Sequence, residues 1–208
     1  MAHDDAHTLR LGIDLDGVVA DFTLGWMTRY NREFAAELTP DQANSWNVPV
    51  SLTHFADMGE FWRWARQGER SIFGELPLYA GAIPALQKLA VDHRIVVVSS
   101  KFDWAIPDTL AWLSEHRFPS REIHFVWDKT SVDCDVYLED APHNLQALAA
   151  AHPDRTICRY VRAWNDPVEG AIDVHDWDEF TEVVGQRAAE LAGAPVAQTA
   201  PDRRHDPL

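Results

Sequence analysis

Leu11-Gly12-Ile13-Asp14-Leu15-Asp16-Gly17-Val18-Val19-Ala20-Asp21-Phe22 carries the clearest local pattern in the chain, and the rest of the sequence is organised around it. Leu9, Leu11 and Ile13 alternate with Thr8, Arg10 and Gly12; two carboxylates and a glycine come next. Such alternation predicts a buried strand, and the Asp/Gly cluster predicts a sharp turn at its carboxyl end. In open parallel sheets, ligands bind beyond the carboxyl ends of the strands, so Asp14 and Asp16 stand where chemistry is expected. Two positions apart, they can share a face while strand geometry lasts, and their repulsion calls for a cation or a shared proton. An acidic turn after an edge strand is the plainer reading of the same residues.

Downstream, the pattern changes period. Phe22, Trp26, Met27, Tyr30, Phe34 and Leu38 recur at spacings of three and four, predicting an amphipathic helix over 22–38. Thr39-Pro40-Asp41-Gln42 has the form of a helix start, with Thr39 as cap and Gln42 closing a capping box. Trp46 to Val50 reads as loop, and 54–66 as another helix. No strand is evident until Tyr79, so 22–77 reads as a helical insertion behind the first strand.

From Pro77 strands and helices alternate. Strands are predicted at 94–100, 122–127, 135–140 and 156–161, and helices at 81–90, 107–116, 142–151 and 176–191. Arg94-Ile95-Val96-Val97-Val98-Ser99-Ser100 is a continuous apolar run ending in hydroxyls, which suits a strand buried on both faces. Five such units imply an α/β fold, a doubly wound parallel sheet with right-handed crossovers. The expected domains are a core over 1–21 and 78–191, a small helical cap over 22–77, and a disordered tail over 192–208.

Composition narrows the function classes. A net charge of -15 over 208 residues argues against a broad surface for polymeric nucleic acid or anionic membrane. A small phosphorylated substrate stays open, because a bound metal and local cations can reverse the field inside a cleft. Cys134 and Cys158 show neither a pairing framework nor metal-ligand spacing and read as buried thiols. Residues 1–8 are polar, and no apolar run spans a bilayer, so a soluble, cytoplasmic protein is expected. A homodimer is left open.

Three predicted strands end in polar groups that suit one reaction: Asp14 and Asp16, then Ser99 and Ser100, then Glu139 and Asp140. A loop between the last two supplies Lys129. Carboxylates for a divalent cation, hydroxyls and an ammonium for phosphate oxygens, and a spare carboxylate nucleophile compose a phosphoryl-transfer site. Oxygen ligands with room for water and phosphate suit Mg²⁺. Singly, each has a plainer role: the serines as a strand end, Lys129 as a solvated lysine, Asp140 as the N-cap of the next helix.

Ile13-Asp14-Leu15-Asp16-Gly17-Val18, Val98-Ser99-Ser100, Lys129 and Glu139-Asp140 stand in the order of the four motifs of the haloacid dehalogenase-like (HAD) phosphatases, which the chain resembles. More narrowly, 14–22, the helical insertion, Glu75-Leu76-Pro77 before Gly81-Ala82, and Asp128-Lys129-Thr130 resemble the 5'(3')-deoxyribonucleotidases. The resemblance, over about residues 9–161, implies an HAD-like core and Mg²⁺-dependent hydrolysis of a nucleoside monophosphate. It implies Asp14 as nucleophile and Asp16 as acid and base; Ser99, Ser100 and Lys129 would hold phosphate. Asp14, Asp140 and the main-chain carbonyl of Asp16 would hold the metal. Two departures stand out: Glu139-Asp140 replaces the common aspartate pair, with Glu139 expected to point away from Asp140, and Lys101-Phe102-Asp103-Trp104 stands where the nucleotidases usually have a proline.

The insertion is rich in aromatics, most of which its own core requires. Phe22 matches a base-contacting aromatic of the nucleotidases, and Trp46, Trp62 and Trp64 are the other substrate-facing candidates. Aromatic faces stack on bases, at on the order of 1–3 kcal/mol each. Another small phosphomonoester is the alternative substrate, and a non-catalytic nucleotide-binding domain the alternative class. Asp16 disfavours a dehalogenase, since halide loss needs no acid. A nicotinamide-binding domain lacks its G-x-G-x-x-G.

Overall fold

In the computed structural model, which describes residues 8–193, six strands form one fully parallel sheet. They are β1 (Arg10–Ile13), β2 (Arg94–Ser99), β3 (Glu122–Phe125), β4 (Val136–Glu139), β5 (Thr156–Tyr160) and β6 (Ala171–Val174). Their order is β3-β2-β1-β4-β5-β6, so β1 is central and the connection reverses direction beside it. That reversal opens a crevice at the carboxyl ends of β1, β2 and β4. The predicted doubly wound α/β fold is the observed one, with one strand more than expected. β6 is short, half exposed and at the edge, so its four residues carry little apolar pattern.

Both faces of the sheet are covered. Ile95 and Val97 of β2 join one apolar cluster; Val96 and Val98 join the other, with Leu145 and Leu148 of the helix Pro142–Ala151. Gly12 in β1 faces this second cluster. A Cβ there would meet Tyr137 at 3.0 Å and the Cys134 sulfur at 3.1 Å, so a side chain would displace the neighbouring ring.

Between β1 and β2 run α1 (Phe22–Phe34), α2 (Val48–Leu52), α3 (Met58–Ala65) and α4 (Ala82–Leu89); the rest of the chain adds α5 (Ile106–Glu115), α6 (Pro142–Ala151) and α7 (Trp177–Gly193). Residues 22–77 contribute no strand to the sheet. Where this stretch enters and leaves the core, backbone bonds tie the two ends together: Asp21 N to Pro77 O (2.8 Å) and Tyr79 N to Val19 O (2.9 Å). Its Trp26, Phe61 and Phe73 lie in the same apolar cluster as Leu11 and Ile13, so the core is continuous across the junction.

Several boundaries move for local reasons. α1 stops four residues early, at Phe34, because Ala35 turns left-handed (φ 50°). Asn31 then closes the turn, donating to Leu38 O (2.8 Å) and accepting from Leu38 N (2.9 Å). The Thr39/Gln42 capping box forms but caps a single 3₁₀ turn, Pro40–Gln42. The stretch read as loop holds α2. The helix expected from 54 begins at Met58, where Asp57 accepts from Glu60 N (2.8 Å). α7 continues two residues past 191, and positions 194–208 of the expected tail lie outside the described residues.

Candidate active site

β1 delivers Asp14 and Asp16 into a tight turn. Leu15 O accepts from the N–H groups of Val18, Val19 and Ala20 (3.3, 2.9 and 2.8 Å), which wraps the backbone around one carbonyl. Gly17 sits there at φ +81°, and a Cβ on it would lie 2.0 Å from Asp140 Oδ2. Only glycine fits, for conformation and for space.

Around this turn the sheet brings together Asp14, Asp16, Ser99, Ser100, Lys129 and Asp140, all lining a cleft of about 330 Å³. Lys129 Nζ lies 2.9 Å from Asp14 Oδ1 and 2.5 Å from Glu139 Oε2, all three groups buried. Burial by itself would discharge this lysine, but the charges of Asp14 and Glu139 outweigh it and hold the ammonium protonated. Ser100 donates its hydroxyl to Val126 O (2.9 Å), a structural bond that binds its loop to the end of β3.

Glu139 departs from the expectation that it points away. β4 ends at Glu139, so Asp140 has left strand geometry and the two side chains are free to converge. Carboxylate oxygens of Asp14, Glu139 and Asp140 lie within 4.8 Å of one another. Glu139 is already committed: it accepts from Asp140 N (3.1 Å), Ala141 N (2.9 Å) and Asn144 Nδ2 (3.3 Å) as well as Lys129. These bonds fix the two residues that lead into α6, whose first turn has no side-chain cap. The Asp140 side chain caps nothing; its Oδ2 accepts from the Trp164 indole (2.9 Å).

Among the described residues, Asp14 Oδ1, Asp16 Oδ1 and Asp140 Oδ1 are buried without a hydrogen bond, and of the three carboxylates only that of Asp140 has no ion pair. Unmet buried carboxylate oxygens are costly unless something neutralises them. Burial pushes the Glu139 carboxyl up to about 7, with Asp14 adding to the rise and Lys129 opposing it. Asp140 is raised well above the carboxylate range by burial, then by Glu139 and Asp14. An oxygen-only, anionic donor set of this kind fits a hard divalent cation such as Mg²⁺. The Asp16 carboxylate is not part of the cluster.

Asp16 has a partner that its motif does not supply. Lys101, fully buried, forms an ion pair with Asp16 Oδ2 and lies 4.0 Å from the Phe73 ring centre. Burial raises the Asp16 carboxyl and lowers the Lys101 ammonium, and each charge opposes the other's shift. The segment that departs from the nucleotidase pattern thus meets the expected general acid directly.

Of the aromatic candidates, Phe22, Trp46 and Trp62 line the cleft. Phe22 packs against Trp62 (5.8 Å between ring centres) and Phe73 (6.0 Å). Trp46, half exposed, lies edge-on to His143 at 5.5 Å. Trp64 does not reach the cleft: it is buried within the insertion, donates to Glu33 Oε2 (2.6 Å) and lies under Arg29 (5.2 Å). Amphipathic spacing put it on the same helix as Trp62 but could not say which face met the cleft. Two further aromatics line the cleft, Phe102 and Trp127, 5.3 Å apart, with Phe102 also edge-on to Trp62 at 5.4 Å. Their signal was position, three residues after Ser99 and two before Lys129.

The model of the family described as "5' nucleotidase, deoxy (Pyrimidine), cytosolic type C protein" matches residues 8–191. A Chlorobaculum tepidum protein with the provisional name 5'(3')-deoxyribonucleotidase is 29% identical over 153 residues, covering 68% of this chain and 74% of its own. Among solved structures, a haloacid dehalogenase-like hydrolase from Burkholderia xenovorans superposes with a TM-score of 0.59 at 14% identity, over 87% of this chain and 98% of its own. An HAD hydrolase of Bacillus subtilis, solved bound to magnesium, does so with a TM-score of 0.55 at 13% identity, over 85% and 98%. The two structural likenesses show the shared fold.

Proposed function

Because the chain belongs to this family of deoxy (pyrimidine) 5' nucleotidases of cytosolic type C, we propose that it is a Mg²⁺-dependent phosphatase hydrolysing (deoxy)ribonucleoside monophosphates to nucleoside and phosphate. It is a phosphomonoester hydrolase with an HAD-like core. The observation that carries the finer reading is the buried cluster of the Asp14, Glu139 and Asp140 carboxylates, with Asp140 Oδ1 left without a hydrogen bond, in an aromatic-lined cleft beside Lys129.

The chain's own groups supply the chemistry. Asp14 attacks phosphorus, so that its carboxylate oxygen forms a bond as the ester oxygen leaves. Asp16 gives its proton to that oxygen, releasing nucleoside and leaving an aspartyl-phosphate. Water then attacks the same phosphorus and passes a proton to Asp16; inorganic phosphate departs and Asp14 is regenerated. Lys129 and Ser99 hold the phosphate oxygens. Asp14, Asp140 and the main-chain carbonyl of Asp16 would hold Mg²⁺, which would supply positive charge against the transferring group. Phe22, Trp62, Phe102 and Trp127, all lining the cleft, offer apolar ring surface to the base.

Phosphate release from a panel of nucleoside 5'- and 3'-monophosphates, with and without Mg²⁺, tests the reading. Turnover is expected only with Mg²⁺ and is expected to vanish in Asp14→Asn, which keeps the shape but cannot attack. Hydrolysis of p-nitrophenyl phosphate without hydrolysis of any nucleotide would move the substrate to another small phosphomonoester.

A further inference from the structure

The ten residues between β5 and β6 lie beyond every motif of the site, yet they reach it three times. Arg162 Nε donates to Gly17 O (2.7 Å), the Trp164 indole N–H to Asp140 Oδ2 (2.9 Å), and Asn165 Nδ2 to Asp140 O (2.7 Å). The loop is itself pinned. Asn165 Oδ1 accepts from Arg162 N (3.0 Å) and Arg159 Nη1 (2.9 Å), and Arg159 Nε donates to Asp173 on β6 (2.7 Å). The Arg162 guanidinium lies between two rings, 4.1 Å from Tyr79 and 3.8 Å from Tyr160.

We propose that Trp164 is a positioning residue for the divalent cation: by occupying Oδ2 of Asp140, it leaves Oδ1, buried and without a hydrogen bond, for the ion. The inference rests on the metal reading above. An indole N–H only donates, so it orients a carboxylate without competing with it for a cation. The last torsion of an aspartate is broad and two-fold, and without a partner on one oxygen the group can turn. Gly17 closes the other side, since anything larger there would collide with the same Oδ2. Asn165 fixes the backbone from which the carboxylate hangs, so orientation and position are held by neighbouring residues of one loop. Partners of this kind, one bond behind a ligand, typically change metal affinity 10- to 100-fold when removed.

Calorimetric titration of the whole chain with Mg²⁺ tests the proposal, using Trp164→Phe, which keeps an aromatic ring and loses the donor. The wild type is expected to bind; the variant is expected to bind at least tenfold more weakly, with a metal-free melting temperature close to the wild type's. Equal affinity in the two proteins overturns the role of Trp164 and leaves the metal reading standing. A wild type that binds no Mg²⁺ overturns both. Should the variant not fold, the wild type alone decides by NMR: one indole N–H resonance is expected to shift with Mg²⁺ at the calorimetric constant, and no shift overturns the proposal.

Discussion

Lys101 puts a buried cation on the expected general acid, and its removal has a signed consequence. Burial is the main force raising the Asp16 carboxyl, and Lys101 is the main force opposing it. In Lys101→Met the carboxyl rises further, so Asp16 stays protonated to higher pH. The falling basic limb of kcat/KM against pH is expected to move upward; a downward move would show that Asp16 is not the acid. Gly17→Ala is expected to lower stability by about 1–2 kcal/mol from its left-handed backbone alone. It is expected to weaken Mg²⁺ as well, because the added Cβ meets Asp140 Oδ2; thermal melts and metal titration read the two effects separately. The thiols offer a plainer check. Burial pushes Cys134 and Cys158 up to about 12, so neither is expected to react with iodoacetamide at pH 8 until the protein is unfolded.

Among the elements, the aromatic stretch over 22–77 does two jobs with one kind of residue. Trp26, Phe61 and Trp64 are buried and hold α1 against α3, whereas Phe22 and Trp62 are only partly buried and face the cleft. Phe22→Ala is expected to raise KM for nucleoside monophosphates several-fold and to leave p-nitrophenyl phosphate nearly unchanged. Stacking grips a part of the substrate remote from phosphorus and so adds mainly uniform binding. Equal damage to both substrates would assign Phe22 to packing alone. Periodicity made these helices visible, but their ends were set by single side chains, Asn31 for α1 and Asp57 for α3, whose partners only the folded chain reveals. β6 escaped for the opposite reason: its partner β5 supplies the pairing, and its own residues carry almost no pattern.

At the scale of the whole molecule, folding gathers four carboxylates and two lysines at one end of a sheet in a chain of net charge -15. Asp16, Glu139 and Asp140 are all raised, chiefly by burial. A carboxyl whose folded value is raised contributes stability that is complete below its unfolded value of about 4 and lost as pH rises through the folded one. The metal-free protein is therefore expected to melt at lower temperature as pH rises from about 4 through about 7, the value for Glu139. Mg²⁺ binds the ionised groups, so its stabilising effect is expected to be larger at pH 8 than at pH 5. Melting curves at both pH values with and without Mg²⁺ check this; a larger Mg²⁺ effect at pH 5 would count against the metal's place in the acidic cluster.

The α/β class, the parallel sheet and the acidic turn after β1 were legible in the sequence because each is written locally, in apolar alternation, continuous apolar runs and Gly-bearing strand ends. Asp14, Ser99, Lys129 and Asp140 stood out for the same reason, each at or just after a strand. Which side chains meet across those ends follows from the folded arrangement alone. Lys101 and Asp16 are 85 positions apart, and Trp164 and Asp140 are 24. Glu139 turned inward, and Trp64 away from the cleft, through contacts that no periodicity encodes. Backbone pattern is set by neighbours along the chain, whereas the orientation of a buried polar side chain is set by whichever donor or acceptor the fold brings within about 3 Å of it.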